Sequence, residues 1–210
     1  MSEEAYEAAR GTLARAAALL FERRMTELQG GNMSVRFGDA VVMTPTKASE
    51  NTGWRLQPDE LLVQGLDGEM RFGDPARISR EIRIHMRLYR TFPDVGCVFH
   101  LHLPEAIAAA AGRWQPGVVA HTTEPYGAAV VVLERDLRAQ TEPHDARATE
   151  LLGQVQREAG AIAIGSMHGT FGVARDLPTN LRAADVLRQR LELERVRRRL
   201  RGLARAGGAV

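Results

Sequence analysis

His100-Leu101-His102 is the segment of this 210-residue sequence with the clearest capacity for chemistry. In a β-strand, residues i and i+2 face the same way, about 6.6 Å apart along the strand. Two imidazoles on one face can converge on a single ion, with Zn–N bonds near ~2.0–2.1 Å. Leu101 would then face the opposite side, as a buried strand requires. A catalytic zinc site keeps three protein ligands and one open position. His168, in Ser166-Met167-His168-Gly169, is the candidate third ligand, because it follows a buried strand and Gly169 permits a close backbone turn. Glu81 and His85 share one helix face at a spacing of four, as a second possible ligand pair or as packing and hydrogen-bonding support. His121 reads as a packing residue or a support to the ligands.

These side chains need a scaffold, and the apolar pattern supplies one. Residues 4–28 carry helix formers with apolar positions at helical spacing, ended by Gln29-Gly30-Gly31-Asn32. Strands are expected at Met33–Phe37 and Ala40–Thr44 around Gly38-Asp39, and at Leu61–Gln64 and Met70–Phe72 around Asp67-Gly68. The stretch Pro45–Gly53 reads as a loop. Ser79 is a candidate N-cap for a helix to about Arg90, which places Glu81 one turn into that helix. Val95–His102 reads as a central strand, and Pro104 opens an alanine-rich helix to about Ala111. Further strands are expected at 118–122, 128–133, 161–165 and 170–174, with a helix at 145–159. Hairpins mixed with strand–helix alternation predict helices flanking a mixed or largely antiparallel sheet.

Hydrophobic residues make up 44% of the chain, enough for a substantial core in one domain spanning 1–210. No apolar run reaches the length of a membrane span. The acidic start MSEEAYEAAR lacks the layout of a signal peptide, so the expected location is the cytoplasm. The single cysteine, Cys97, has no intrachain disulfide partner. The net charge is only +2, and the basic excess gathers in the last thirty residues. There, Leu187, Leu191, Val196, Leu200 and Leu203 interleave with arginines, which predicts an amphipathic basic helix over about 179–206 rather than a nucleic-acid arm. No nucleic-acid or membrane partner is expected. Lys47 is the one lysine among 28 basic residues, and it lies in the Pro45–Gly53 loop.

Four blocks, in order, resemble the class II aldolase/adducin family. They are Gly31-Asn32-Met33-Ser34-Val35-Arg36; Met43-Thr44-Pro45-Thr46; Ser79-Arg80-Glu81 with His85 and Tyr89; and Pro93-Asp94-Val95 through His100-Leu101-His102, followed by His168-Gly169. The resemblance covers residues from about 10 to 190. It implies an α/β fold, a three-layer α/β/α sandwich with a central, mainly antiparallel sheet, in a homotetramer with active sites between subunits. It carries the metal ligands to His100, His102 and His168, the cofactor to Zn2+ or another divalent metal, and the proton-transferring carboxylate to Glu81. The implied activity is that of a lyase (aldolase) making or breaking a C–C bond in a small anionic, sugar-like hydroxy-ketone through a metal-stabilised enediolate. An epimerase, dehydratase or decarboxylase sharing that enolate is the alternative, as is a non-catalytic adducin-like interaction module.

The resemblance places the substrate's anion on Gly31, Asn32, Thr46 and Ser79. Two positions depart from the family pattern: Lys47 stands for a glycine, and Arg80 for a second serine. Both add positive charge. Phosphate, another anion such as a carboxylate, or plain solvent exposure are the readings open to them. Aldolases of the family place a tyrosine after a histidine near 121–134; here Tyr126 stands at a shifted position after His121.

Overall fold

The computed structural model describes residues 3–111, 129–133, 161–165 and 169–207. Its centre is an eight-stranded sheet. The strands are β1 (Asn32–Phe37), β2 (Ala40–Met43), β3 (Leu62–Gly65), β4 (Met70–Phe72), β5 (Cys97–Leu101), β6 (Ala129–Leu133), β7 (Ala161–Gly165) and β8 (Gly169–Ala174). Their spatial order is β4-β3-β2-β1-β5-β8-β7-β6. Every neighbouring pair is antiparallel except β6 and β7. The expected helix at 145–159 and strand at 118–122 lie outside the described residues.

Alternation along β1 and β5 sorts side chains onto two faces. Met33, Val35, Cys97, Phe99 and Leu101 join a core with α1 (Glu3–Glu22), α4 (Pro104–Ala111) and α5 (Leu177–Gly207). Val98, with Val41, Phe171 and Val173, packs instead on α3 (Ile82–Thr91). Helices therefore cover both faces, giving the three-layer α/β/α arrangement. Fully burying one Leu- or Phe-sized side chain contributes about 1.5–3 kcal/mol, so these two cores hold the layers together.

The first helix is shorter than its apolar pattern predicts. It ends at Glu22, and Arg24 takes a positive φ of 56° as the chain turns toward β1. The Pro45–Gly53 loop contains one short helix, α2 (Ala48–Thr52). At the other end, α5 runs through Gly207, and beyond Leu191 its apolar residues Leu193, Val196, Leu200 and Leu203 are exposed. No helix among the described residues is long and apolar enough to cross a membrane.

Candidate metal and acid–base site

The register of β1 against β5 builds the site. Asn32, the first residue of β1, pairs with His100, one residue before the end of β5. His100 is buried and lies on the α3 side, where its ring stacks on Phe171 at 4.4 Å. His102 lies just past β5, and its Nε2 is 3.2 Å from Nε2 of His100. Glu81 Oε1 lies 3.5 Å from His100 Nε2. Leu101, between the histidines, is buried in the opposite core, as the alternation predicted.

Both rings are oriented from behind. His100 Nδ1 faces the Thr170 carbonyl at 3.2 Å. A carbonyl only accepts, so Nδ1 carries the proton and a neutral His100 presents a lone pair at Nε2. His102 Nδ1 lies 3.4 Å from the Glu27 carboxylate, which favours the same tautomer. Two Nε2 lone pairs then face each other beside a carboxylate. A bound divalent cation, or a shared proton, relieves that repulsion. Two imidazoles, each tied through its far nitrogen to an oxygen acceptor, with a carboxylate alongside, are a donor set that suits zinc. Among the described residues, no group of three or more His, Cys, Asp or Glu side chains is arranged to hold a metal ion, so the histidine pair needs a further ligand. His168, expected as the third histidine, lies outside the described residues, as do His121 and Tyr126.

Glycines make room for the pair. Gly30 has a φ of 138°, and a Cβ there would stand 2.5 Å from His102 Cε1. Gly169 has a φ of 155°, and a Cβ there would stand 2.7 Å from the Leu101 carbonyl oxygen and 3.0 Å from His100 Cε1. Among Gly30, Glu27 and Thr170, which brace or make room for the pair, two carry no motif. Gly30 is the only one with a signal, as the first of two adjacent glycines before a strand.

Glu81 occupies the N-cap position of α3, immediately before the helix rather than one turn into it. The reason is local. Ser79 Oγ accepts from the Glu81 N–H at 3.3 Å, and the Ser79 carbonyl accepts from Ile82 N–H, so a turn precedes the first helical residue. The Asn32 amide donates to Ser79 Oγ at 3.2 Å and to Glu81 Oε2. Its two donors thus point at the carboxylate and its turn, while Asn32 Oδ1 is buried without a partner.

Thr46 and Lys47 are exposed, and the Thr46 N–H donates to the Arg77 carbonyl at 2.7 Å, drawing this turn beside the segment that leads to Ser79. Lys47 adopts a left-handed conformation with a φ of 58°, which accounts physically for the glycine the family pattern calls for. Arg80 is exposed as well. No described contact joins the Lys47 or Arg80 side chains to Glu81.

Behind Glu81, His85 is wholly buried. Burial pushes its pKa down to about 3, against an opposing pull from Glu81, so the ring is neutral. Its Nδ1 meets Ser34 Oγ at 2.7 Å, and Ser34 Oγ meets the Tyr89 hydroxyl at 2.8 Å. Burial also raises the Tyr89 pKa well above its ordinary value.

The profile of the Class II Aldolase and Adducin N-terminal domain family matches residues 11–194. The chain belongs to the class II aldolase/adducin family. A methylthioribulose-1-phosphate dehydratase of Stenotrophomonas maltophilia is 46% identical over 50 residues, 24% of this chain and 23% of the relative. An L-fuculose phosphate aldolase of Methanocaldococcus jannaschii is 32% identical over 83 residues, 40% of this chain and 42% of the relative. These matches span less than half of either curated relative. Among solved structures, an L-fuculose 1-phosphate aldolase superposes with a TM-score of 0.71 at 16% identity, over 95% of this chain and 89% of that one. The L-fuculose-1-phosphate aldolase of Thermus thermophilus gives a TM-score of 0.71 at 18% identity, over 93% of this chain and 98% of that one. At such identities the structural likeness speaks to the fold.

Proposed function

We propose that this family member is a divalent-metal lyase, zinc being the expected ion, acting on a small phosphorylated hydroxy-ketone. One observation carries the reading: His100 Nε2, His102 Nε2 and Glu81 Oε1 converge at 3.2 and 3.5 Å. His100 and His102 would hold the ion, with His168 as the third ligand. A cation there supplies Lewis-acid charge for the oxyanion that aldol chemistry develops.

The protein's own groups supply the rest. Asn32 holds one Glu81 oxygen and turns the other toward the histidines. Glu81 thereby acts as the base or acid that moves the proton at the substrate carbon beside its carbonyl. The Gly31-Asn32 turn, Thr46 and Ser79 anchor the substrate's anion. Lys47 and Arg80 are both exposed and would add cationic support suited to phosphate.

C–C cleavage is the leading outcome. Dehydration is the second reading, favoured by the locally similar methylthioribulose-1-phosphate dehydratase. Incubation of the zinc-loaded protein with ketose 1-phosphates, followed by mass analysis, separates the two. Cleavage releases dihydroxyacetone phosphate and an aldehyde; dehydration removes one water and keeps the carbon skeleton. Full activity in a Glu81→Gln variant would refute the proposed base. The exposed stripe Leu193, Val196, Leu200 and Leu203 supports association into a homo-oligomer, proposed as a tetramer and checked by light scattering.

A further inference from the structure

Two of the sequence blocks, Asn32–Arg36 and Glu81–Pro93, meet as one device. On β1, alternate residues Asn32, Ser34 and Arg36 lie on the face turned to α3. On the other side, Glu81, His85, Tyr89 and Pro93 recur every four residues. Two residues of strand advance about 6.6 Å and four residues of helix about 6.0 Å, so the two spacings stay nearly in step.

The contacts follow that step. Asn32 donates to Glu81. Ser34 meets His85 at 2.7 Å and Tyr89 at 2.8 Å. Arg36 donates to the Tyr89 carbonyl and, at 2.7 Å, to the Pro93 carbonyl. Three rungs therefore fasten α3 parallel to β1, and the first rung ends on the carboxylate proposed to move the proton. Apolar packing would permit small sliding of α3 along the sheet. The buried Ser34 rung does not, because a broken bond there leaves an unpaired polar group.

We infer that Ser34 and His85 are positioning residues for Glu81: they set how far α3 stands along β1, and thereby where the carboxylate meets His100 and His102. The inference rests on the reading of Glu81 given above.

Cobalt(II) binding to the full chain tests it without any substrate. Affinity and the visible ligand-field spectrum are followed by titration, with thermal melting recorded alongside. Glu81→Gln is expected to weaken binding and alter the spectrum. Ser34→Ala is expected to weaken it about five- to tenfold, the loss of one buried hydrogen bond. In the Ser34→Ala, Glu81→Gln double variant that further loss disappears, because the rung acts through the carboxylate. Tyr89→Phe, which removes only a hydroxyl, gives a smaller loss of the same kind and serves if Ser34→Ala folds poorly. His85→Asn keeps a polar group near Nδ1 and restores most of the affinity lost in His85→Leu.

An equal loss from Ser34→Ala with and without Glu81 would overturn the inference, as would full cobalt affinity in both Ser34→Ala and Tyr89→Phe. If Glu81→Gln alone leaves affinity and spectrum untouched, the carboxylate does not meet the metal and the inference falls; full lyase activity in that variant instead refutes the base, a separately visible result.

Discussion

The two faces of β1, and the layers they meet, are made of different materials. One side offers Met33, Val35, Phe99 and Leu101 to α1, α4 and α5, and hydrophobic burial holds it. The other offers Asn32, Ser34 and Arg36, with His100 and Val98 of β5, to α3, where directional hydrogen bonds are set into a second apolar core. Burial is non-directional and tolerates small shifts. A polar layer is favourable only when its donors and acceptors are matched. The wholly apolar side therefore supplies stability alone, and the mixed side adds placement to its own burial.

Substitutions on the two faces should separate these quantities. The largest effect is expected from Glu81→Gln on the polar face: kcat falls about 10²–10⁴-fold by general acid–base loss, with little change in melting temperature, read by steady-state assay beside calorimetry. On the apolar face, Leu13→Ala is expected to cost about 2–5 kcal/mol of stability in denaturant unfolding, while cobalt affinity of the folded protein is unchanged. A large change in cobalt affinity there would break the contrast. Gly30→Ala combines both, since its φ of 138° and its nearness to His102 leave no room for a methyl. It should cost about 1–3 kcal/mol and weaken cobalt binding, measured by melting and titration.

The smallest effect per step concerns pH. His85 titrates near its ordinary value in the unfolded chain and at about 3 when folded. Between roughly pH 6.5 and 3 the unfolded chain binds the extra proton. Stability from this group is complete above that window and falls as pH drops through it, by up to ~1.4 kcal/mol per pH unit. His85→Asn should flatten the slope by about one proton in pH-dependent urea unfolding.

Much of this arrangement is legible in the chain. The alternation of His100, Leu101 and His102 announces two imidazoles on one side of a strand, and in the fold their Nε2 atoms do face each other at the end of β5. Pro104 and the alanine run after it give α4 its bounds, and Gly38-Asp39 and Asp67-Gly68 give the hairpins their turns. Other features are set by partners distant in sequence. The amide of Asn32 has two donors, and only the fold shows that both reach Ser79 and Glu81. Glu81 precedes its helix because a serine turn intervenes. Lys47 breaks the family pattern at a left-handed position, where propensity favours glycine. The rungs between Asn32–Arg36 and Glu81–Pro93 join segments about fifty residues apart, which only the fold brings together.

The two histidines are braced by different kinds of oxygen. His100 leans on a main-chain carbonyl, that of Thr170, and no change of side chain at 170 deletes that oxygen. His102 leans on the carboxylate of Glu27, a group that one codon can neutralise or remove. Position 27 is thus a tuning dial for electron density at one imidazole, while its neighbour's setting is written into the backbone and stays out of reach of drift or design.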